Sequence, residues 1–357
     1  MIINMDFSDN NPKFITNASD YDKQSKTNEI VISVILMAYN RKKYIHMALQ
    51  SLLEQTLDKR KFEVICITNF EFELSQEYES MNVQKVIMDG KIGEFIKSGI
   101  TVSNGELISI LEDDDLFSPD KLLSIYNLYA KTKFAYLKNE MRKIDKNGEP
   151  LDKSINIENG DSNSVTVLQL RDGTFKEIQN MIKLRSFPST ITFRKVLILP
   201  HLESMMNVES EISVFIFYNL LQFENIFIWN KSPLTLYRIS EESDSHSVLF
   251  TTHIETRKRY LVRTLKTYQL LLDTVDKSNK YAVILFEFSF YKLELLYLNE
   301  RRPSVNLLTF SLKFIYISNS KHVFLLKLAY EIFSFIFGPI FYISVRKLFH
   351  LRSLNSL

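Results

Sequence analysis

One stretch of this chain, residues 107–120, joins a short apolar run to a dense group of carboxylates. Leu107–Leu111 is apolar apart from one serine, and Glu112, Asp113, Asp114 and Asp115 follow it in succession. An apolar run of this length that ends in polar residues is typical of a buried strand in an α/β sheet. Open α/β sheets bind their ligands at the carboxyl ends of the strands. The sequence therefore predicts that these carboxylates lie where a ligand binds.

A bound cation would explain why four carboxylates stand together. Adjacent negative charges repel one another, and a site that gathers them usually needs a positive charge to offset the repulsion. Hard oxygen ligands favour Mg²⁺ or Mn²⁺, which often carry a phosphate group as well. The alternative is a solvated acidic turn that leads into a helix. Ser118 as N-cap and Pro119 as first helical residue would form that helix start, with Asp120 in its first turn.

Composition narrows the class of protein. The 357 residues suffice for one large domain with an appended region. A formal net charge of +2 gives no indication of a nucleic-acid partner. The single cysteine, Cys66, excludes an intrachain disulfide and a Cys-x-x-Cys metal site, which favours a reducing, cytoplasmic compartment. Residues 1–28 are polar and lack the apolar segment of a signal peptide, so we expect a flexible arm.

The residues before the acidic stretch predict a β-α-β unit. Ile30–Met37 is almost continuously apolar and β-branched, residues 42–55 have apolar side chains at helical spacing, and Phe62–Ile67 is a second strand. Such a unit crosses over right-handed into a parallel sheet. Further strands are expected at 83–88, 134–137, 189–193, 226–229 and 234–238, a short element at 196–199, a tight turn at Asn147–Gly148, and helices at 118–131, 208–221, 257–275 and 282–298.

Three segments, in this order, resemble glycosyltransferase family 2, whose members are inverting nucleotide-sugar transferases of the GT-A fold. Val34–Arg41 is similar to the family's first strand and its Tyr-Asn-Arg turn. Leu111–Leu122 resembles the Leu-Asp-x-Asp-Asp…Pro…Lys-Leu block, and Leu234–Arg238 resembles the Leu-x-x-Tyr-Arg segment that closes the family's domain. The resemblance covers about residues 30–247.

The resemblance implies a fold and a division of the chain. The fold is α/β, the GT-A nucleotide-diphospho-sugar transferase fold, with a Rossmann-like, mixed but mainly parallel sheet flanked by helices. We expect this domain over residues 29–250, after the arm of residues 1–28. A helical C-terminal region of residues 251–357 follows it.

The resemblance also implies a metal-dependent glycosyltransferase of hexosyltransferase type. The enzyme would transfer a sugar from a nucleotide diphosphate-sugar to a hydroxyl of a glycan or lipid-linked glycan, with Mg²⁺ or Mn²⁺ as cofactor. Asp114 is the first choice as metal ligand, with Asp115 and Glu112 beside it. The implied nucleotide-sugar site comprises the turn after the first strand, the end of the second strand, one acid and two cations, namely Ala38, Tyr39, Asn40, Arg41, Thr68, Asn69, Asp113, Lys97 and Arg238.

The general base is expected near residue 210, because the family has an acid at the start of a helix beyond its acceptor-side strands. Glu209 and Glu211 precede the apolar run Ile212–Leu221. We favour Glu211, because matching it to the family's acid keeps the following apolar spacing in register. The alternative is that both carboxylates only stabilise the helix dipole.

Departures from the family pattern keep two other functions open. The second strand ends in Thr68–Asn69, where the family normally has an Asp pair, and Glu112 replaces the first Asp of the metal motif. Ser240 stands where a His often follows Tyr-Arg, with His246 further along. The alternatives are a nucleotidyltransferase of related fold and a catalytically degenerate domain that binds a nucleotide or a partner. Against the first, the turn at Ala38–Arg41 lacks the glycines that nucleotidyltransferases usually carry there.

Residues 304–352 are rich in apolar and aromatic side chains. The uncharged part, Ile332–Val345, is shorter than the roughly 20 residues that a membrane-spanning helix needs. It is divided by Gly338–Pro339 and followed by Arg346 and Lys347, a pattern typical of a helix that lies on a membrane surface. This places the protein in the cytoplasm or at the cytoplasmic face of a membrane. The alternatives are helices that pack on the catalytic domain and a homodimer face.

Overall fold

A computed structural model describes residues 30–151, 165–221, 225–239, 250–275, 277–308 and 332–354. The predicted arm of residues 1–28 lies outside the described residues, and so do Ser240, His246 and residues 309–331 of the apolar C-terminal segment.

Within the described residues, nine strands form one mixed sheet. They are β1 Ile32–Ala38, β2 Phe62–Thr68, β3 Val83–Ile87, β4 Leu107–Glu112, β5 Leu116–Phe117, β6 Tyr136–Ile144, β7 Val165–Gln169, β8 Ile191–Arg194 and β9 Ile226–Arg238. Their order is β3-β2-β1-β4-β8-β6-β9-β5, and β7 also pairs with β9. The first four strands are parallel, and β8 runs antiparallel to β4.

The helices of the described residues lie between these strands in the sequence or after the last of them. They are α1 Ile45–Leu53, α2 Ile92–Val102, α3 Lys121–Thr132, α4 Phe175–Met181, α5 Lys195–Ile198, α6 Leu202–Met205, α7 Ile212–Leu220, α8 Phe250–Thr274, α9 Asn279–Leu298 and α10 Pro339–Leu354. Residues 305–308 and 332–337 are also helical.

Helices cover both faces of the sheet, which explains the continuous apolar runs of its central strands. Every residue of β1 and β2 is buried. Ile35 of β1 lies in one core with Phe95 of α2, whereas the next residue, Leu36, lies in a second core with Leu49 of α1. Because successive side chains of a strand point to opposite faces, a strand covered on both faces is apolar at most positions. The buried polar side chains Ser33 and Glu63 pair with each other, since Ser33 Oγ donates to Glu63 Oε1 at 2.6 Å.

The helix that follows the acidic stretch starts later than predicted. Helix α3 begins at Lys121 with Asp120 as N-cap, so the predicted N-cap at Ser118 is wrong. The reason is that β5 pairs with β9, and the Ser118 N–H extends this pairing by donating to the Leu234 carbonyl at 3.0 Å. The chain turns into the helix only after that bond is made.

Two further predictions of elements are corrected. The two short strands expected at 226–229 and 234–238 are one strand, β9, whose pairing with β6 is irregular between Asn139 and Met141. The helix expected from residue 208 begins at Ile212, because Glu211 adopts a left-handed conformation with φ of 57°. The short element at 196–199 is helical (α5).

The described part of the C-terminal region is helical, as predicted. Helices α8 and α9 are joined by Arg257, which donates to both carboxylate oxygens of Glu294 at 2.9 and 2.8 Å. Helix α10 packs on α9 through the stacked rings of Tyr342 and Tyr297, 5.0 Å apart. Among the described helices, none is long and apolar enough to cross a membrane. The division of the chain at residue 250 stays a prediction.

Candidate active site

The predicted donor-site residues meet at one edge of the sheet. Parallel pairing aligns Ala38 of β1 with Thr68 of β2, and Met37 of β1 with Glu112 of β4. The residues that follow these three strands therefore emerge side by side, at the edge where α/β sheets bind ligands. We call this carboxyl edge of β1, β2 and β4 the donor edge. Tyr39–Arg41 follows β1, Asn69 follows β2 and Asp113–Asp115 follows β4. We call Asp113–Asp115 the acidic loop.

Two asparagines connect the turn after β1 to the end of β2. The Asn40 N–H donates to Asn69 Oδ1 at 2.8 Å, and Asn69 Nδ2 donates to Asn40 Oδ1 at 2.7 Å. Asn40 has a φ of 58°, a left-handed conformation that asparagine tolerates better than most residues. Thr68 is buried and donates through Oγ1 to the Phe70 carbonyl at 2.6 Å. Asn69, which is half-buried, and not the buried Thr68, is therefore the accessible polar group at the end of β2.

Arg41 spans two carboxylates of the acidic loop. Its Nη2 donates to Asp113 Oδ1 at 2.7 Å and its Nη1 donates to Asp114 Oδ2 at 2.6 Å. Burial opposes the charge of the guanidinium, but the two carboxylates together raise the pKa of Arg41 above its ordinary value. The turn after β1 thus supplies the positive charge nearest to the acidic loop among the described contacts.

Arg238 makes hydrogen bonds with two residues of the acidic loop. Its backbone N–H donates to Asp115 Oδ1 at 3.0 Å, and its Nε donates to the Asp114 carbonyl at 2.7 Å. Its Nη1 donates to the Asp145 carbonyl at 2.8 Å, and the guanidinium lies over the Tyr44 ring, 4.4 Å from the centroid. Because Arg238 is buried and its guanidinium donates to two backbone carbonyls, these contacts favour a structural role. The expected contact with a diphosphate stays a prediction.

Lys121 is a buried cation to which the sequence analysis assigned no role. Its Nζ donates to the Ser189 carbonyl at 2.5 Å and to Thr235 Oγ1 at 3.0 Å, and it lies 3.6 Å from the centroid of the Phe117 ring. Burial lowers the pKa of Lys121 well below its ordinary value, and the charge of Asp115 opposes that shift. The Lys-Leu pair of the family-like block was the available signal for this residue.

The carboxylates of this region carry more negative charge than their neighbours offset. Burial raises the pKa of Asp113 to about 6, against the opposing charge of Arg41. Burial, together with the charge of Asp114, raises the pKa of Asp115 to about 7, and burial followed by Asp115 raises that of Glu112. Asp113 Oδ2 and Asp115 Oδ2 are buried and have no hydrogen-bond partner among the described residues.

These features fit a divalent cation that is bound together with a phosphate. The part of the chain that the structure describes contains no group of three His, Cys, Asp or Glu residues arranged to hold a metal alone. Mg²⁺ usually needs only one or two protein carboxylates, because waters and substrate phosphates complete its coordination. The Asp114 side chain is 20% exposed and that of Asp113 only 3%, so Asp114 is the more accessible ligand. The buried, unpartnered oxygens on either side of it supply the negative charge that a cation would neutralise.

The segment Val208–Glu211 lies at the same edge of the sheet. The Gly93 N–H, in the first turn of α2, donates to the Val208 carbonyl at 3.1 Å. Helix α2 begins just after the carboxyl end of β3, so this bond places the segment beside the donor edge. A Cβ on Gly93 would lie 1.8 Å from the Met205 carbonyl oxygen, so only glycine allows this approach.

The two candidate bases have different surroundings, both provided in part by α8. Glu209 accepts hydrogen bonds from Lys266 at 3.0 Å and lies 3.2 Å from the Lys91 ammonium, and the bonds from Lys266 lower the pKa of Glu209. Glu211 accepts a hydrogen bond from the Tyr260 hydroxyl. A carboxylate held by two ammonium groups is the poorer proton acceptor, which favours Glu211. Tyr260 and Lys266 carry no signal in the sequence that links them to these carboxylates, because their helix shows only apolar periodicity.

The remaining predicted residues lie around this edge. Tyr39 is half exposed, and its ring packs edge-to-face on Phe95 of α2 with centroids 5.8 Å apart. Ala38 is the buried last residue of β1. Lys97 donates to Glu203 Oε1 at 2.7 Å and contacts the Met206 sulfur at 3.1 Å. The structure therefore brings Tyr39 to the donor edge, whereas the described partners of Lys97 lie around α6.

Comparison with known proteins gives a consistent result. Residues 33–195 match the family model of glycosyl transferase family 2. A poly(ribitol-phosphate) beta-glucosyltransferase from Bacillus spizizenii is 24% identical over 128 residues, which cover 33% of this chain and 20% of that protein. The matched part is therefore only about a fifth of that relative's length.

Two solved structures share the architecture. S. aureus TarS 1–349 in complex with UDP-GlcNAc has a TM-score of 0.52 and 16% identity, with 81% of this chain and 82% of that chain covered. A crystal structure of S. aureus TarS gives a TM-score of 0.50 and 16% identity, with 82% of this chain and 50% of that chain covered. Identities this low show the fold, and they confirm the predicted GT-A architecture with its helical C-terminal region.

Proposed function

We propose that this chain transfers a sugar from a nucleotide diphosphate-sugar to an acceptor hydroxyl, with inversion at the anomeric carbon and dependence on a divalent metal. The premise is that residues 33–195 match the family model of glycosyl transferase family 2. The observation that carries this proposal is the acidic loop with its Arg41 bridge and its unpartnered buried oxygens, at the carboxyl edge of parallel strands.

The donor would lie across the ends of β1, β2 and β4. Tyr39 offers an exposed ring face for the base, and Asn69 offers neutral hydrogen-bonding groups where the family has an acidic pair. Arg41 stands over the acidic loop and supplies positive charge for the diphosphate. The bound UDP-GlcNAc of the similar TarS structure supports a UDP-sugar as the first donor to test.

The metal would be Mg²⁺ or Mn²⁺, held by Asp114 with Asp115 and Glu112 contributing charge close by. When bound, it neutralises the negative charge that develops on the leaving diphosphate. Asp113 is fixed by Arg41 through one oxygen, so its second oxygen is available to orient the metal's waters or a sugar hydroxyl.

Glu211 would act as the general base. It takes the proton of the acceptor hydroxyl as the acceptor oxygen bonds to the anomeric carbon, and the bond from that carbon to the diphosphate oxygen breaks. The nucleoside diphosphate leaves with the electron pair of the broken bond. The location of Glu211 beside α2 and its neutral partner among the described residues, Tyr260, support this assignment over Glu209.

The proposal is tested by nucleotide release. The full chain is incubated with a panel of nucleotide sugars and Mn²⁺, with glycan, lipid-linked glycan and poly(ribitol-phosphate) acceptors. We expect release of a nucleoside diphosphate from one donor, its loss on addition of EDTA, and its recovery with excess Mn²⁺. Release that EDTA does not change would contradict the metal site. Donor binding with no release for any acceptor would favour the catalytically degenerate alternative.

Tyr260→Phe is expected to lower kcat about tenfold, because the Glu211 carboxylate loses the hydroxyl that donates to it and orients it. The measurement is kcat and KM of transfer for both proteins, with Tyr281→Phe as control. A loss of kcat with unchanged KM values supports a role of Tyr260 in positioning Glu211. Equal losses in Tyr260→Phe and Tyr281→Phe would contradict that role.

The proposal extends to the class of acceptor and to the place of the protein in the cell. We propose a hydroxyl of a glycan or lipid-linked glycan at the cytoplasmic face of a membrane. The name of the Bacillus spizizenii relative, a poly(ribitol-phosphate) beta-glucosyltransferase, is the reason for including that polymer among the acceptors.

A further inference from the structure

The C-terminal helices expose an apolar surface whose residues are distant in sequence from those of the donor edge. It consists of Ile332, Phe333, Ile336, Phe337 and Ile340, which we call the aromatic ridge. The exposed fraction reaches 61% for Phe337 and 76% for Ile340. The Phe333 and Phe337 rings stack with centroids 5.8 Å apart. A solvent-exposed apolar cluster of this kind marks a binding site for an apolar partner.

The ridge is the outer face of helices whose inner face is already packed. Ser334 is fully buried, and Tyr342 is buried against Tyr297 of α9. Arg346 on α10 donates to Glu294 of α9. These contacts fix the orientation of the helices on the rest of the protein, so the ridge cannot turn inward without breaking them.

Gly338 places the ridge on both sides of a bend. Its φ of 84° is left-handed, and Pro339 starts α10 directly after it. Residues 332–337 therefore end at the bend, and Ile340 stands one residue beyond Pro339. The bend brings the apolar side chains of two short helical pieces into one protruding surface.

Positive charges border the ridge. The Arg302 guanidinium lies 3.5 Å from where a Cβ on Gly338 would stand, which places it beside the bend. Lys347 is exposed and follows Ile340 by two helical turns, so both lie on one face of α10. No Asp or Glu occurs between residues 332 and 354. Glu300 precedes the Arg301–Arg302 pair in the chain.

We infer that the aromatic ridge inserts into an anionic lipid surface, with Arg302 and Lys347 at the headgroup phosphates. Aromatic and aliphatic side chains bordered by cations match the boundary between acyl chains and anionic headgroups. A second copy of this chain fits less well, because a twofold contact would bring the same cations together with no carboxylate between residues 332 and 354 to pair them. The inference goes beyond sugar transfer and does not depend on it.

The test is flotation of the full chain with vesicles of phosphatidylcholine, with and without phosphatidylglycerol. We expect binding to the anionic vesicles that weakens as salt is raised. Phe337→Ser with Ile340→Ser should lower vesicle affinity at least ~10-fold, as expected when two inserted apolar side chains are lost. Arg302→Gln with Lys347→Gln should lower affinity for anionic vesicles by about tenfold or more, and leave binding to neutral vesicles unchanged.

Matched controls are Val262→Ser, an exposed apolar residue of α8, and Lys176→Gln, an exposed cation of α4. Neither control should change flotation, and thermal melting should show that all variants are folded. The inference is overturned if the wild-type chain does not float with anionic vesicles, or if the controls reduce flotation as much as the ridge variants. It is also overturned if light scattering shows a dimer that the ridge variants dissociate while vesicle binding is unaffected.

Discussion

Glu211→Gln is expected to lower kcat for sugar transfer about 10³-fold, because the amide cannot accept the proton of the acceptor hydroxyl. The substitution keeps the size of the side chain and leaves an oxygen that accepts from the Tyr260 hydroxyl. It also keeps the left-handed backbone at residue 211 that starts α7. Donor affinity should therefore remain unchanged, as measured by calorimetry with the nucleotide sugar.

Glu209→Gln is the matched control, since it lies two residues away and accepts from Lys266. We expect it to change kcat less than about threefold, because the Glu209 carboxylate is paired with Lys266 and Lys91 and does not take the acceptor proton. If Glu209→Gln abolishes transfer while Glu211→Gln stays active, the base is Glu209. Equal, small effects of both would assign the two carboxylates to helix stabilisation alone.

Asp114→Asn should lower transfer about 10²–10³-fold and raise the Mn²⁺ concentration needed for half-maximal rate. Asparagine can still accept from Arg41, so the loop should keep its shape while one negative charge is lost. The measurement is nucleotide release over a Mn²⁺ titration. A lower rate with an unchanged metal requirement would indicate that Asp114 only positions Arg41.

Asp172→Asn is the control for that experiment, because Asp172 is an exposed acid on a loop before α4. Its rate and metal requirement should equal those of the wild type. Full activity of Asp114→Asn, together with full activity of Asp115→Asn, would remove the proposed metal site altogether.

Much of the fold could be predicted because its signals are local. The apolar runs of β1, β2 and β4 require burial on both faces, and the helical spacing of α1 separates them into a β-α-β unit. The single long β9 could not be predicted, because its continuity depends on pairing with β6 across an irregular register. The start of α3 was misplaced for a similar reason, since β5 holds Ser118 in the sheet.

The candidate site divides in the same way. The turn at Tyr39–Arg41, Asn69 and the acidic loop each follow a strand in sequence, so their meeting at one edge could be foreseen from parallel topology. Tyr260 could not be foreseen as a neighbour of Glu211, and neither could the contacts of Lys121 with Ser189 and Thr235. Tyr260 lies 49 residues from its partner, on a helix whose sequence shows only amphipathic spacing.

In the acidic stretch of residues 107–120, some features follow from the sequence and others follow only from the tertiary structure. The sequence by itself determined that a buried strand leads four carboxylates to the carboxyl edge of an α/β sheet, because burial and strand direction are properties of the local pattern. Only the tertiary structure decided that Arg41 bridges Asp113 and Asp114 and that Arg238 holds Asp115. Those pairings join residues 72 to 123 positions apart, and packing alone brings such distant groups within hydrogen-bond distance.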